Sequence, residues 1–246
     1  LCLMALVYFL VRAGLPFPDT RVLLHTAIIG LLLLMTFMGG RIIAPAVAGT
    51  LEKKGIPLEA RVQPLIEGWL LAILPLAMVC ILFTATEILA GLLLLAASLL
   101  IIVRVARWKL WHCTDRPDLL VLAIGYLWLA AGAAVTGVHL VTGHALLPAL
   151  HLIAVGALGT LSCSVMLRLA WQRACRRFPP AWQVLAIAVL TALASICRYL
   201  AGPVPFSEPA LLWLAAGAWS LAYLGLFAQL LHLYSAFTKK GKANNG

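Results

Sequence analysis

The sequence predicts an all-α protein, a polytopic bundle of transmembrane helices, because it is very apolar and its apolar residues form long segments. Hydrophobic residues make up 64% of the 246 residues, charged residues only 11%, and the mean hydropathy is +1.05. An apolar stretch of about 18 or more residues is typical of a membrane-spanning helix. These stretches are too long for barrel strands and lack their alternation, which leaves helices as the predicted structure.

Seven of the apolar segments are long enough to cross a bilayer. The predicted spans are Val22–Ile43, Leu65–Phe83, Ile88–Val105, Leu119–Val141, Leu146–Leu169, Trp182–Leu200 and Ala210–Phe237. An apolar segment at Leu1–Val11 precedes them and is predicted to be a partial span, because it is short and lacks the charged start and cleavage site of a signal peptide. We therefore expect one transmembrane domain over residues 1–246, the C-terminal part of a longer protein.

The boundary between Leu65–Phe83 and Ile88–Val105 is the least marked, since the residues between them include neither Gly nor Pro. One continuous helix over both segments would be about 60 Å long, roughly twice the thickness of the hydrocarbon layer. A tight turn at residues 84–87 is therefore predicted.

The basic residues predict the orientation of the bundle. If the spans alternate in direction, fifteen of the 18 lysines and arginines lie on one side, and only Arg12, Arg21 and Arg198 lie on the other. Cytoplasmic loops carry an excess of Lys and Arg, so the basic side and a basic tail over residues 238–246 are predicted to be cytoplasmic. The net charge of +10 is explained by loops that meet anionic lipid, and no nucleic-acid partner is expected.

Four of the six histidines are expected near the outer ends of the spans. They are His25, His139, His144 and His151. Neutral imidazole is the usual protein ligand of haem iron and also binds copper, so these four are candidate metal ligands. The alternative is that they bond to carbonyl groups or meet water at the interface. No catalytic residue is assigned from the sequence.

A seven-residue repeat indicates which way one of these histidines faces. Asp118, Gly125, Gly132 and His139 recur every seven residues and share nearly one helix face. Glycines on one face mark the contact with a neighbouring helix, so His139 is predicted to point into the bundle. The next span follows after a short connection and is its antiparallel neighbour, so His139 and His151 are expected to approach each other.

Two of the histidines and one arginine are the candidate haem-binding residues. His139 and His151 would supply imidazoles from facing helices, and Arg198, near the outer end of its span, would neutralise a haem propionate or another bound anion. The alternative for Arg198 is that its side chain reaches out to lipid headgroups.

Three motifs resemble those of a known family, the NnrS proteins. The segment Met38–Ile43 contains the sequence Gly-Gly-Arg, and Gly125–Leu129 reads Gly-Tyr-Leu-Trp-Leu. The most specific motif is His151, then the run Val155–Thr160, then a methionine and an arginine ending at Arg168. The order and spacing of the three motifs are similar to those of the family over nearly the whole chain.

The resemblance implies a polytopic protein of the bacterial inner membrane that contains haem and copper. It also implies a role in the response to nitric oxide, in protection against nitrosative stress and in denitrification. His151 matches the histidine of the family motif and is the ligand candidate that the resemblance supports, whereas Arg168 and Arg41 match its arginines.

The chain also departs from the family pattern. Arg173 stands where the family has a histidine in a Leu-Gly-His-Thr-Gly-Arg run, and an N-terminal Trp-His-x-His-Glu motif is absent. If either histidine set binds metal, the site in this chain is expected to be incomplete, either because the chain is a fragment or because it is a divergent member.

Two other classes of function compete with the NnrS-like interpretation. A transporter or permease would be expected to have repeated halves and interrupted helices, whereas here only Pro75 lies well inside a span. A structural membrane subunit without a cofactor is the third alternative. Whether the protein is an enzyme is left open.

Overall fold

A computed structural model describes residues 20–58, 62–204 and 206–244, and the side chains of 21–58, 62–204 and 206–235. This part of the chain contains seven long helices and no strand. They are α1 (Thr20–Glu52), α2 (Pro64–Cys80), α3 (Glu87–Arg107), α4 (Pro117–Thr142), α5 (Leu146–Cys175), α6 (Ala181–Leu200) and α7 (Pro209–Asn244). Six are long and apolar enough to cross a membrane, and α2 is a shorter apolar helix of 17 residues. The predicted all-α, multi-pass membrane fold is confirmed.

Each of the seven predicted spans coincides with one helix, whereas Leu1–Val11 lies outside the described residues. The predicted turn between α2 and α3 is confirmed as a short 3₁₀ turn at Thr84–Thr86, where the Thr86 hydroxyl donates to the Cys80 carbonyl at 2.6 Å. The 33 residues of α1 continue beyond the predicted end of its span to Glu52, for a length of about 50 Å.

Short connections make consecutive helices antiparallel, so the bundle has two distinct ends. We call the end with His25, His139, His144 and His151 the histidine end. It contains the first residues of α1, α3, α5 and α7 and the last residues of α2, α4 and α6. The opposite end, with Arg104, Arg116 and Arg168, is the basic end.

Helix α4 lies at the centre of the bundle and packs closely on both neighbours. Towards α3, a Cβ atom placed on Gly91 would lie 2.8 Å from the carbonyl oxygen of Gly137, and one on Gly137 would lie 2.7 Å from that of Gly91. Only glycine permits such an approach of two backbones, and close backbone packing replaces the hydrophobic effect between helices in lipid.

The predicted glycine stripe of α4 faces α5. A Cβ atom on Gly125 would lie 2.9 Å from the side chain of Leu161, and one on Gly132 would lie 2.4 Å from the side chain of Ile153. This confirms that the stripe marks a helix contact and that α4 and α5 are neighbours. By contrast, little of α7 is buried within the protein.

Candidate functional site

A cavity of about 730 Å³ lies at the histidine end, between α5, α6 and α7. Its volume is within the range of small-molecule and cofactor sites, about 300–1,000 Å³. Most of the lining is aliphatic or aromatic. The polar and aromatic residues of the lining are His151, Arg198, Phe206, Trp213, Trp219 and Ser220.

The ring of His151 is held by its own helix. Its Nδ1 atom lies 2.6 Å from the carbonyl oxygen of Leu147, one turn earlier in α5. Because a carbonyl oxygen only accepts, Nδ1 carries the proton and donates it, so the neutral ring has its lone pair on Nε2. A metal-binding histidine commonly has this arrangement, in which a backbone acceptor fixes the tautomer and the orientation of the ring.

The helix changes from α-helical to π-helical conformation immediately after this histidine. Residues Leu152–Ala157 form a π-helical segment, a rare conformation that often occurs at functional sites. Within it, a Cβ atom on Gly156 would lie 2.8 Å from the Ser195 Oγ and 3.0 Å from the Trp128 ring. The segment therefore packs closely against α4 and α6, which limits the movement of this side of the cavity.

Arg198 supplies the charge of the site. It lies in the last turn of α6, is half-buried, and is the only charged side chain among the described residues that line the cavity. A guanidinium beside apolar walls attracts a carboxylate or phosphate group more strongly than one in water does. His151 and Arg198, two of the candidate haem-binding residues, line the same cavity.

A second group of imidazoles lies where α4 ends. Gly143 has the left-handed conformation, with φ of +72°, and turns the chain so that the His144 N–H donates to the carbonyl of His139 at 2.9 Å. The two rings are 5.7 Å apart between centroids. His139 donates from Nδ1 to the Ala145 carbonyl at 2.7 Å, and its Nε2 lies 3.4 Å from the hydroxyl of Tyr199.

The third imidazole has the same protonation pattern. The Thr142 hydroxyl donates to the Val138 carbonyl at 2.7 Å, and the His144 Nδ1 is 2.6 Å from the same hydroxyl oxygen. A hydroxyl has one hydrogen, so it accepts here from the His144 Nδ1–H. All three histidines thus have Nδ1 engaged, and Nε2 is the nitrogen with the lone pair.

The structure groups the predicted residues into two sets. It brings His151 together with Arg198, and His139 together with His144, whereas the described side chains include no hydrogen bond or ring contact between His139 and His151. Their predicted approach stays a prediction. His25 is half-buried in the second turn of α1 and does not line the cavity. Within the described ranges, no three His, Cys, Asp or Glu side chains are grouped to hold a metal ion.

Sequence reasoning missed Tyr199 and the aromatic walls of the cavity. Tyr199 follows Arg198 directly, but nothing in the pattern shows that it meets a ring of α4. Trp213 and Trp219 lie in an apolar helix with apolar residues all around, so the sequence does not show which of them face the cavity.

The basic end contains a buried cluster around one carboxylate. Asp118, only 2% exposed, accepts from Arg116 Nε and Nη2 and from Arg168 Nη1, each at 2.9 Å. Arg116 also stacks on Phe178, with its guanidinium carbon 3.4 Å from the ring centre. Arg168, the arginine that matches the family motif, therefore joins α5 to the start of α4.

A second ion pair lies at this end, and the bonds of its arginine connect four helices. Arg104 of α3, 3% exposed, pairs with Glu67 of α2. It also donates to the Thr36 carbonyl of α1 at 3.3 Å and to the Tyr126 hydroxyl of α4 at 3.0 Å. The guanidinium lies against Gly40, where a Cβ atom would be 2.3 Å from Nη2. The charge of Arg104 is paired with Glu67, although the buried Nε–H of Arg104 has no hydrogen-bond partner among the described residues. We assign this ion pair a structural role.

The comparison with protein families identifies the chain. No curated protein and no solved structure matches it significantly. The family model described as NnrS protein matches residues 1–236, nearly the whole chain. The chain therefore belongs to the NnrS family.

Proposed function

We propose that this protein binds haem in the cavity of the histidine end and acts in the response to nitric oxide at the bacterial inner membrane. Membership of the NnrS family supports the proposal, because haem, copper and nitric oxide are what the resemblance implies. The observation that carries it is His151, which lines an apolar cavity with Nδ1 bonded to the Leu147 carbonyl and Nε2 as the available ligand atom.

The residues present fit this cofactor. The rings of Phe206, Trp213 and Trp219 offer apolar surface to a macrocycle, and Arg198 offers a positive charge to a propionate. The described part of the lining includes one imidazole and no second His, Met or Cys. His151 would hold the haem, and the bound haem would supply an iron that can bind a small gas such as nitric oxide.

Copper is the second cofactor of the proposal. His139 and His144 are its candidate ligands, because their rings are neighbours and the Nε2 atom of each carries the lone pair. The hydroxyl of Tyr199 lies 3.4 Å from the Nε2 atom of His139, and copper would displace it from this nitrogen. His25 is a further candidate from its position at the same end.

An optical spectrum of the purified full-length protein tests the haem proposal. We expect a Soret band that shifts when nitric oxide is added, and that is lost in His151→Ala. The matched control is His232→Ala, an exposed histidine of α7 away from the cavity, which should leave the band unchanged. A colourless, metal-free wild-type preparation would contradict the proposal and favour the transporter or the structural subunit.

Metal analysis separates the two cofactors. His139→Ala and His144→Ala are expected to lower the copper content and leave the Soret band in place. Cells that lack the protein should grow more slowly under nitric oxide than the parent strain, and equal growth would argue against the physiological role.

A further inference from the structure

The residues of α5 that face α6 and α7 do not have the spacing of a regular α-helix. His151 lines the cavity between these three helices. Gly159 faces the same two neighbours, since a Cβ atom on it would lie 3.5 Å from Cγ2 of Thr191 in α6 and 4.0 Å from the Tyr223 hydroxyl of α7. Residues eight positions apart in a regular α-helix point in directions about 80° apart. Between His151 and Gly159, α5 therefore turns by a different angle than a regular α-helix does.

The π-helical segment Leu152–Ala157 accounts for this difference. A π turn is closed by i→i+5 hydrogen bonds and contains about one residue more than an α turn. One residue corresponds to about 100° of helix rotation, so the segment brings the direction of His151 to within about 20° of that of Gly159. Without the segment, the imidazole ring would be rotated away from the cavity and from Arg198.

Contacts on two sides hold the π-helical segment in place. Towards α4, the side chain of Ile153 packs against Gly132. Gly156 lies between α4 and α6, and a Cβ atom on it would lie 2.8 Å from the Ser195 Oγ and 3.0 Å from the Trp128 ring. Ser195 is completely buried, and a buried side chain in a close-packed interior has little space to move. A side chain at position 156 would therefore displace the segment.

We propose that the π-helical segment, with Gly156 as its positioning residue, directs the His151 ring into the cavity for the binding of haem. The inference rests on the proposed function, because it takes haem as the ligand of this cavity. Gly156 does not line the cavity itself. It acts through His151, which directly precedes the segment and moves when the segment is displaced.

Haem titration of the purified, haem-free, full-length protein provides the first test, with the Soret band as the signal. Gly156→Ala should weaken haem binding about tenfold, as is usual when a group that orients a metal ligand is lost. The matched control is Gly159→Ala, which should bind as the wild type does, because the added methyl group meets only ordinary van der Waals contacts. Ser195→Ala removes the nearer of the two atoms around position 156, so the double variant Gly156→Ala/Ser195→Ala should recover part of the affinity.

Deletion of Ala154 tests the segment without adding a side chain. One residue fewer should convert the segment into a regular α-helix and rotate His151 out of the cavity. We expect the helix content, measured by circular dichroism, to be retained and the Soret band to be lost. This variant decides the question if Gly156→Ala does not fold.

Crystal structures of the haem-free wild type and the haem-free Gly156→Ala variant separate this inference from the proposed function. We expect the His151 ring to face the cavity in the wild type and to be turned away from it in the variant. A wild type that binds no haem would contradict the proposed function, and the haem-free structures would still decide the positioning role. An unchanged His151 ring in Gly156→Ala, or wild-type haem affinity in that variant or in the Ala154 deletion, would overturn the positioning role.

Discussion

The two ends of the bundle differ in how their polar side chains are bonded. At the basic end, buried charged side chains pair with opposite charges on other helices. At the histidine end, the shortest hydrogen bonds of the imidazole rings go to residues no more than six positions away in the sequence. Arg104 pairs with a carboxylate of α2, and Asp118 pairs with an arginine of α5. His151 and His139 bond instead to backbone carbonyls at 2.6 and 2.7 Å. The two kinds of bond constrain the molecule differently.

A bond between helices fixes their relative position, and its loss leaves a charge without compensation. A bond within one short chain segment fixes only a ring, and in His151 it leaves the second ring nitrogen for a ligand. The basic end is therefore expected to carry stability, and the histidine end to carry binding. The following changes test this difference.

Asp118→Ala is expected to have the largest effect on stability. It leaves Arg116 and Arg168 next to each other with no carboxylate, and removal of one partner from a buried ion pair costs about 3–5 kcal/mol. Unfolding in detergent, followed by circular dichroism, measures the change. The control is Asp115→Ala, which removes an exposed carboxylate from the loop just before α4 and should leave the unfolding midpoint unchanged. Equal losses in the two variants would contradict the structural role of Asp118.

Gly40→Ala should destabilise the protein by about 1–3 kcal/mol, the usual cost of overpacking. The added methyl group would lie 2.3 Å from the Arg104 guanidinium, which cannot move without giving up Glu67 or Tyr126. Gly49→Ala is the matched control in the same helix, because no atom lies within 4 Å of the added methyl group. It should stabilise α1 by up to about 1 kcal/mol, the difference in helix propensity. The same unfolding assay compares the two, and a Gly40→Ala variant as stable as Gly49→Ala would show that the guanidinium is not confined.

His151→Ala is expected to change the stability of the cofactor-free protein by about 1 kcal/mol or less, because the ring's hydrogen bond lies within its own helix. The Soret band of the cofactor-loaded protein should nevertheless be lost. The unfolding midpoint and the spectrum, measured on the same preparations, separate the two effects. A loss of stability as large as that of Asp118→Ala would remove the contrast between the two ends.

The smallest effect concerns a surface ion pair at the basic end. A hydrogen bond from Lys54 lowers the pKa of Asp115 below its ordinary value. A lowered pKa in the folded state adds stability above the unfolded-state pKa, and that stability is lost as the pH falls through the folded-state pKa. The pair is exposed, so salt screens it and the stability gain is slight. Carboxyl NMR should show the titration midpoint of Asp115 rising in Lys54→Met, and an unchanged midpoint would show that the pair does not form in solution.

The positions of the helices, the turn between α2 and α3, and the glycine face of α4 were all predictable from the sequence. Each depends on residues that are consecutive or regularly spaced in one segment, such as Gly125 and Gly132. The motif around His151 likewise pointed to the NnrS family without any tertiary information. Local hydropathy and helix period determine these features, because the bilayer requires every spanning segment to satisfy its own backbone.

Only the tertiary structure paired Asp118 with Arg168, paired Glu67 with Arg104, and placed Arg198 across a cavity from His151. These partners lie far apart in the sequence and on different helices. Whether their side chains meet depends on the rotation and offset of each helix, and close packing of the whole bundle sets both. Composition and periodicity show that a face is apolar or polar, but not which residue of another helix lies opposite it.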